Sequence, residues 1–264
     1  MIELGFLFSI SYTLFLPTSM SKNPDWFENW FDTTWYHTLY SDRDYSEASK
    51  FIENLIGHLN PPITAKILDL ACGKGRHALH INQLGYRVWG VDLSPCSITE
   101  AIESESDRLR FSVHDMRMVY KPDYFDYIFN LFTSFGYFNS QEDNLKVMQS
   151  VCDGLKPNGI FVLDFLNAKK VKKSLVKNEV ITKGDIKFSI HREVKNNVIQ
   201  KNIDFVVNGE SLHFEERVTA FELNDLQELF KPFKLEIQEI FGNYNLEAFD
   251  AKTSDRLILV AKKS

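Results

Sequence analysis

Short apolar runs separated by helix-like stretches make up the middle of the chain. These runs predict buried strands, which we place at residues 66–71, 86–92, 108–115, 124–132 and 159–166. Between them, apolar residues recur every three or four positions and predict helices over residues 75–84, 94–105 and 143–155. Strands and helices in alternation are typical of an α/β fold with a parallel, doubly wound sheet.

The pattern changes on both sides of this core. Residues 26–59 predict helix, with a break near residues 41–44. Beyond residue 167 polar and apolar residues alternate, as in 186–191 and 198–207, which predicts antiparallel strands. After them we predict one more helix and two more strands, which return to the core sheet, at residues 222–230, 233–241 and 256–261. We therefore expect a helical cap over residues 20–60, a core over 61–168 and 221–264, and a β-rich insert or lid over 169–220.

The first sixteen residues form an apolar run in which Glu3 is the charged side chain. A secretory signal needs a positively charged start and a small-residue cleavage site, and neither is present. A membrane-spanning helix needs about 20 apolar residues, and this run is shorter. We expect the natural start at Met20, with residues 1–19 a stub that does not belong to the native protein.

Composition narrows the class of protein. The 264 residues are 44% hydrophobic and 25% charged, which is the range of folded globular domains. A net charge of −6 argues against a protein whose main partner is nucleic acid. Three scattered cysteines do not make a disulfide framework or a metal site, and the histidines form no spaced ligand set with them. We expect a cytoplasmic protein without a metal, as a monomer or homodimer.

Glycines and acids gather where the first strands end. Gly73 and Gly75 follow the first strand, so the backbone there can approach a ligand closely at the start of a helix. Asp69, Asp92 and Asp115 stand at or near the ends of three successive strands. In doubly wound sheets ligands bind at this carboxyl edge, where an acid can accept hydrogen bonds from a ribose. The pattern predicts a nucleotide-like ligand.

Five ordered motifs resemble those of the class I S-adenosylmethionine-dependent methyltransferases, most closely bacterial small-molecule members. They are D-L-A-C-G-K-G from Asp69, V-D-L-S from Val91, H-D-M-R from His114, F-D-Y-I-F-N from Phe125 and L-K-P-N-G from Leu155. Ala71 replaces the usual first glycine. The resemblance covers about residues 26–264 and implies a Rossmann-like, mostly parallel seven-stranded sheet with an antiparallel final hairpin strand and a small antiparallel insert. It also implies S-adenosyl-L-methionine as the cofactor and methyl transfer to a small molecule.

The resemblance also implies where the cofactor binds. Asp69 and Gly73 flank the methionine moiety, Asp92 the ribose, and Asp115 and Met116 the adenine. Tyr40 and Arg43 close over it, with Arg43 suited to its carboxylate. The remaining cofactor residues that the motifs imply are Ala71, Cys72, Gly75, Leu93, Ser94, Arg117 and Asn130.

The sequence defines the methyl acceptor less well than the cofactor. The loop from Thr133 to Phe138 resembles that of aminosugar methyltransferases and makes Tyr137 a candidate catalytic or pocket residue. Asn130 is not followed by the prolines typical of enzymes that methylate nucleobases or glutamine. Phe135, Arg217 and Tyr244 are the other candidate substrate contacts. Nitrogen and oxygen both stay open as the methylated atom.

Three alternatives remain. An NAD-binding fold is the rival for the glycine loop, but its G-x-G-x-x-G spacing is absent because Ala78 stands at the last position. An RNA or protein methyltransferase is suggested by residues 169–201, which hold nine lysines and one arginine against three acids. A binding module without catalysis is the third.

Overall fold

The computed structural model describes residues 26–41 and 45–264. Their central feature is a seven-stranded sheet with spatial order β10-β11-β5-β4-β1-β2-β3. The strands are β1 Lys66–Leu70, β2 Arg87–Asp92, β3 Leu109–Val113, β4 Phe125–Asn130, β5 Leu155–Leu166, β10 Leu235–Phe241 and β11 Arg256–Lys263. Strands β1 to β5 run parallel, while β11 is antiparallel to β5 and to β10. The predicted Rossmann-like sheet with an antiparallel final pair is confirmed.

Helices cover both faces of this sheet and precede it as a cap. They are α1 Trp26–Phe31, α2 Thr34–Leu39, α3 Tyr45–Leu59, α4 Arg76–Gln83, α5 Pro95–Ile102, α6 Gln141–Gly154, α7 Ala168–Lys173 and α8 Leu223–Phe230, with a 3-10 turn at Lys231–Phe233. The start of α5 shows why local sequence fixes such boundaries. Ser94 accepts a hydrogen bond from the Ser97 backbone N–H, and Pro95 occupies the first helical position, where no backbone donor is required.

A second, four-stranded antiparallel sheet is the predicted insert. Its strands follow one another in space as β6 Asn178–Lys183, β7 Ile186–Lys195, β8 Val198–Val207 and β9 Glu210–Thr219. Phe188, Ile190, Ile203 and Phe205 are buried on one face and pack in a single cluster with Trp30 of the cap. Cap and insert therefore share a hydrophobic core. The boundaries that the sequence predicts between cap, core and insert, at residues 20, 60, 169 and 220, stay a prediction.

Some predicted strand ends differ from the structure. Strand β4 stops at Asn130 rather than residue 132, because Phe132 and Thr133 adopt left-handed backbone conformations with φ of 61° and 60°. The predicted helix over residues 26–59 also breaks earlier than expected, at Asp32 and Thr33, where the Thr33 side chain caps α2. Residues 42–44 of the break predicted near 41–44, and the stub at 1–19, lie outside the described residues. Among the described residues, no helix has the length and apolar character needed to cross a membrane.

Candidate active site

A cavity of about 400 Å³ lies at the carboxyl edge of the parallel strands. The loops that follow β1 to β4 form one side of its wall, and the cap helices α1 and α2 form the other. Of the predicted cofactor residues, the structure brings together in this wall Tyr40, Ala71, Cys72, Gly73, Asp92, Leu93, Asp115 and Met116. Tyr137 is in the wall as well. The carboxyl edge thus gathers residues that are far apart in sequence, as the topology requires.

The glycine loop turns sharply because three of its residues take left-handed conformations. Ala71, Gly73 and Gly75 have φ of 62°, 55° and 78°. A Cβ at Gly75 would lie 2.5 Å from the Phe111 ring, so this glycine is needed for packing. A Cβ at Gly73 would meet no atom within 4 Å, and Gly73 lines the cavity. The loop therefore leaves open space where a ligand can approach the backbone.

Asp92 joins this loop to the start of α5. Its carboxylate accepts hydrogen bonds from the backbone N–H of Gly73 at 2.7 Å and of Ser94 at 2.9 Å. Burial raises the pKa of Asp92, and the two backbone donors partly oppose that shift. The donors fix the carboxylate in the cavity wall, where its remaining lone pairs can accept from a ligand.

Asp69 and Cys72 are buried at the end of β1. The Asp69 carboxylate accepts from the Ala78 N–H at 3.1 Å and stands behind the loop, outside the cavity wall. Burial raises its pKa to about 7. Burial also raises the pKa of the Cys72 thiol well above its usual range, so this cysteine is a poor nucleophile.

The segment after β3 carries the predicted adenine residues. Arg117 donates to both oxygens of Asp115, from Nε to Oδ1 at 3.1 Å and from Nη2 to Oδ2 at 2.6 Å, and itself lies outside the wall. Met116 is half-buried in the wall. His114 lines the same end and hydrogen-bonds the Met118 carbonyl at 2.7 Å. An apolar thioether beside a neutralised carboxylate is suited to a flat heteroaromatic ring.

His77, on the first turn of α4, is a wall residue that sequence reasoning missed. Its side chain is 5% exposed, and its Nε2 has no hydrogen-bond partner among the described residues. Burial lowers the pKa of His77 to about 3, with a further contribution from neighbouring Arg76, so the ring is neutral. Its position two residues after Gly75 was the available signal.

The loop after β4 is held by a buried acid that the sequence analysis also missed. Asp164 on β5 accepts from the Phe132 N–H at 2.8 Å and from Arg256 Nε at 2.7 Å, and its carbonyl accepts from Thr133 N–H at 2.9 Å. These bonds hold the left-handed residues that shape this side of the cavity. A lone acid inside the apolar run 159–166 was the signal for it.

Several predicted contacts lie outside the cavity wall, and their assignment to the cofactor or the substrate stays a prediction. Asn130 is buried and donates to the Leu70 carbonyl at 2.9 Å, because the parallel strands bring these two ends together. Phe135 is fully buried against Phe221. Gly75 and Ser94 support the wall from outside, as described above. Two predicted substrate contacts also lie outside the wall: Arg217 pairs with Glu215, and Tyr244 stacks on Phe51.

A partly buried polar cluster joins the cap to the insert, and we call it the cover cluster: Trp30, Tyr40, Lys201 and Glu216. Glu216 accepts from the Tyr40 hydroxyl at 2.6 Å and from Trp30 Nε1 at 2.8 Å. Lys201 lies 3.4 Å from Glu216 and also bonds Tyr40. Tyr40 therefore lines the cavity while the insert orients it. The other predicted closing residue, Arg43, lies outside the described residues.

One group of possible metal ligands stands beside the cap. Single ligand atoms of His37, Cys96 and Glu100 lie within 4.8 Å of one another. Glu100 already forms an ion pair with Lys74 at 2.7 Å. The expectation of a protein without a metal stays a prediction.

The wall fits the cofactor that the motifs imply. Gly73 leaves space for a chain to pass, Asp92 presents oxygen acceptors to a diol, and Met116 offers an apolar surface to an aromatic base. These three features follow one another along the strand ends, in the order of an amino-acid chain, a ribose and an adenine.

Comparison with known proteins agrees with this site. The family model of the methyltransferase domain matches residues 64–210. YqeM of Bacillus subtilis (strain 168), classed as a methyltransferase without a stated acceptor, is 27% identical over 239 residues, covering 87% of this chain and 94% of its own. The glycine/sarcosine N-methyltransferase of Aphanothece halophytica is 31% identical over 145 residues, covering 53% of this chain and 52% of its own.

A solved structure shows the same fold. It is an S-adenosylmethionine-dependent methyltransferase from Clostridium acetobutylicum ATCC 824, with a TM-score of 0.73 at 22% identity, covering 86% of this chain and 95% of the other. The matched family model spans the glycine loop, the strand-end acids and most of the insert. The chain belongs to the class I S-adenosylmethionine-dependent methyltransferase family, and S-adenosylmethionine is its cofactor.

Proposed function

We propose that this enzyme methylates an amine nitrogen of a small molecule. The observation that carries the proposal is a continuous aromatic wall that faces the cavity. Tyr36 lies 4.9 Å from both Phe31 and Tyr40, and Phe31 lies 5.2 Å from Tyr137, measured between ring centroids. A cavity of about 400 Å³ between such a wall and the glycine loop suits a small acceptor.

The cofactor's place follows from the strand ends. Ala71, Cys72 and Gly73 surround the methionine end, and Asp69 holds their loop from behind through the Ala78 N–H. Asp92 binds the ribose, and Met116 with Asp115 and Leu93 holds the adenine. When bound, S-adenosylmethionine supplies an electrophilic methyl group. Most of the acceleration can then come from holding the acceptor in line in a pocket that excludes water.

The wall favours nitrogen over oxygen as the acceptor atom. An amine gains positive charge as it takes the methyl group, and aromatic ring faces stabilise that charge. A neutral amine needs no general base, whereas a hydroxyl acceptor usually does. The Tyr137 hydroxyl, our earlier candidate for such a base, donates a hydrogen bond to the Thr133 carbonyl. The Aphanothece halophytica relative is named an N-methyltransferase, which supports the same choice.

A large acceptor such as RNA is a weaker candidate. Several basic side chains of the α7 and insert region are paired with acids: Lys170 with Asp255 at 2.5 Å, and Lys172 with Glu222 at 3.0 Å. Lys201 is part of the cover cluster. These pairs reduce the positive charge that a polyanion would meet.

Cofactor binding tests the site. We expect S-adenosylhomocysteine to bind in calorimetric titration, and Asp92→Ala to weaken that binding by about 100-fold, because the carboxylate makes charge-assisted hydrogen bonds in a buried setting. Asp204→Ala, on the exposed outer side of the insert, is the matched control and keeps the parent affinity. Equal affinity of Asp92→Ala and the parent would show that the ribose assignment is wrong.

An acceptor screen tests the reaction. We expect isotopically labelled methyl groups to move from the cofactor to small amines, with a rate that rises with pH as the free amine fraction grows. Paired substrates that differ only in an amine or a hydroxyl make the comparison direct. Transfer to the hydroxyl partner alone, or to RNA or protein alone, would overturn the proposal. Cofactor binding without transfer to any acceptor would favour the binding-module alternative.

A further inference from the structure

The imidazole of His77 forms part of the cavity wall. It is 5% exposed and lies next to the glycine loop, at the first turn of α4. Its Nε2 is buried and makes no hydrogen bond to any described residue. An unpaired buried polar group is unfavourable, so a ligand that completes the hydrogen bond recovers free energy.

The surroundings of this ring favour an anion. The Arg76 guanidinium stacks on the Phe132 ring at 4.3 Å, and the His77 ring lies 6.3 Å from the same ring, between centroids. Both residues line the cavity. The N-terminus of α4, where Gly75 is the cap residue and supplies no side-chain bond, adds the partial positive charge of a helix start. A neutral imidazole can contribute an N–H donor here.

We propose that His77 is a positioning residue that donates a hydrogen bond to the cofactor's carboxylate. This rests on the proposed orientation, with the methionine end of the cofactor at the glycine loop. The carboxylate then lies at the start of α4 between the imidazole and Arg76. Such a contact selects cofactors that carry an intact amino-acid end and holds the sulfonium at a defined distance from the aromatic wall.

Three ligands separate this role from others. S-adenosylhomocysteine carries the carboxylate, its decarboxylated derivative keeps only the amine, and methylthioadenosine lacks both. For His77→Phe we expect S-adenosylhomocysteine binding to weaken at least about 10-fold, since hydrogen bonds to charged groups are the stronger ones. Binding of the other two ligands is expected to stay within about twofold of the parent. Calorimetry on the full chain gives all the affinities.

Matched variants complete the test. His80→Phe makes the same change one turn later, at a ring that pairs with Glu53 outside the cavity, and keeps all three affinities. His77→Asn and His77→Gln each return an amide N–H near one ring nitrogen, and one of them is expected to restore most of the affinity for S-adenosylhomocysteine. If His77→Phe does not fold, His77→Met provides the apolar replacement.

The outcomes are distinct. Equal weakening of all three ligands, or of none, overturns the proposal and leaves the methyltransferase site intact. Weakening of the decarboxylated derivative together with S-adenosylhomocysteine assigns the amine instead and also overturns it. If the parent binds neither S-adenosylhomocysteine nor methylthioadenosine, the proposed site itself is wrong, and the role of His77 is wrong with it.

Discussion

The two sides of the cavity are built in different ways. On the core side, the wall comes from loops that follow successive parallel strands, and short-range bonds hold it, such as Asp92 to the Gly73 and Ser94 backbone. On the cover side, Trp30 and Tyr40 meet Glu216 although they stand 186 and 176 residues away from it in sequence. The core side is therefore held by contacts within the sheet and its loops, whereas the cover side depends on the docking of cap and insert.

A glycine on the core side gives the largest expected effect. Gly75→Ala forces a Cβ to within 2.5 Å of Phe111 at a φ of 78°, and we expect a loss of about 3 kcal/mol in unfolding free energy from strain and overpacking. Gly209→Ala, at φ 82° with nothing within 4 Å, is the control and should lose only about 1 kcal/mol. Urea unfolding measures both, and equal losses would contradict the packing argument.

The buried carboxyl of Asp69 makes the stability of the core side depend on pH. Burial raises the pKa of Asp69 from 3.8 to about 7, so its stabilising contribution is complete below pH 3.8 and is lost as pH rises through 7. Relative to Asp69→Asn, the parent should lose on the order of 2 kcal/mol between pH 5 and 8. Denaturant unfolding of both proteins across this range checks the sign. If the unfolding free energies of the parent and of Asp69→Asn change with pH in the same way, burial does not raise the pKa of Asp69.

Removing the Glu216 carboxylate, the hydrogen-bond acceptor that Trp30 and Tyr40 share, tests the cover side. Glu216→Ala leaves Trp30, Tyr40 and Lys201 without their common partner, and we expect a loss of about 2 kcal/mol in stability. Hydrogen exchange should rise in residues 26–41 and in β8 and β9, while β1 to β4 stay protected, because the cover opens without the core. Glu215→Ala, whose side chain pairs with Arg217, is the control. Uniform loss of protection would mean that both sides form one unit.

The smallest effect is expected where the two sides meet. Tyr137→Phe removes a hydroxyl that bonds the Thr133 carbonyl but keeps the ring against Trp26 and Phe31. We expect a fall in turnover of less than about fivefold, the size of one ordinary hydrogen bond. If turnover with an amine acceptor falls 100-fold or more, the Tyr137 hydroxyl has a catalytic role after all.

Hydrophobic periodicity was sufficient for most of the fold. The order of strands and helices, the glycine loop and the strand-end acids Asp92 and Asp115 are all local features, and parallel topology brings such ends to one edge. Phe135 and Asn130, which the family resemblance assigned to the site, are buried outside the cavity wall. The period of a pattern tells which residues are buried, but it does not tell whether a buried side chain faces the core or a cavity.

What the sequence determined by itself is a doubly wound sheet, the order of its motifs and the family they indicate. What only the tertiary structure decided is the rest of the site. The Asp164–Arg256 pair that holds the loop after β4, the burial of His77 beside Phe132 and the cover cluster all depend on contacts between distant segments. Hydrogen bonds and ring packing act over a few ångströms in space, and only the folded chain sets which distant side chains come that close.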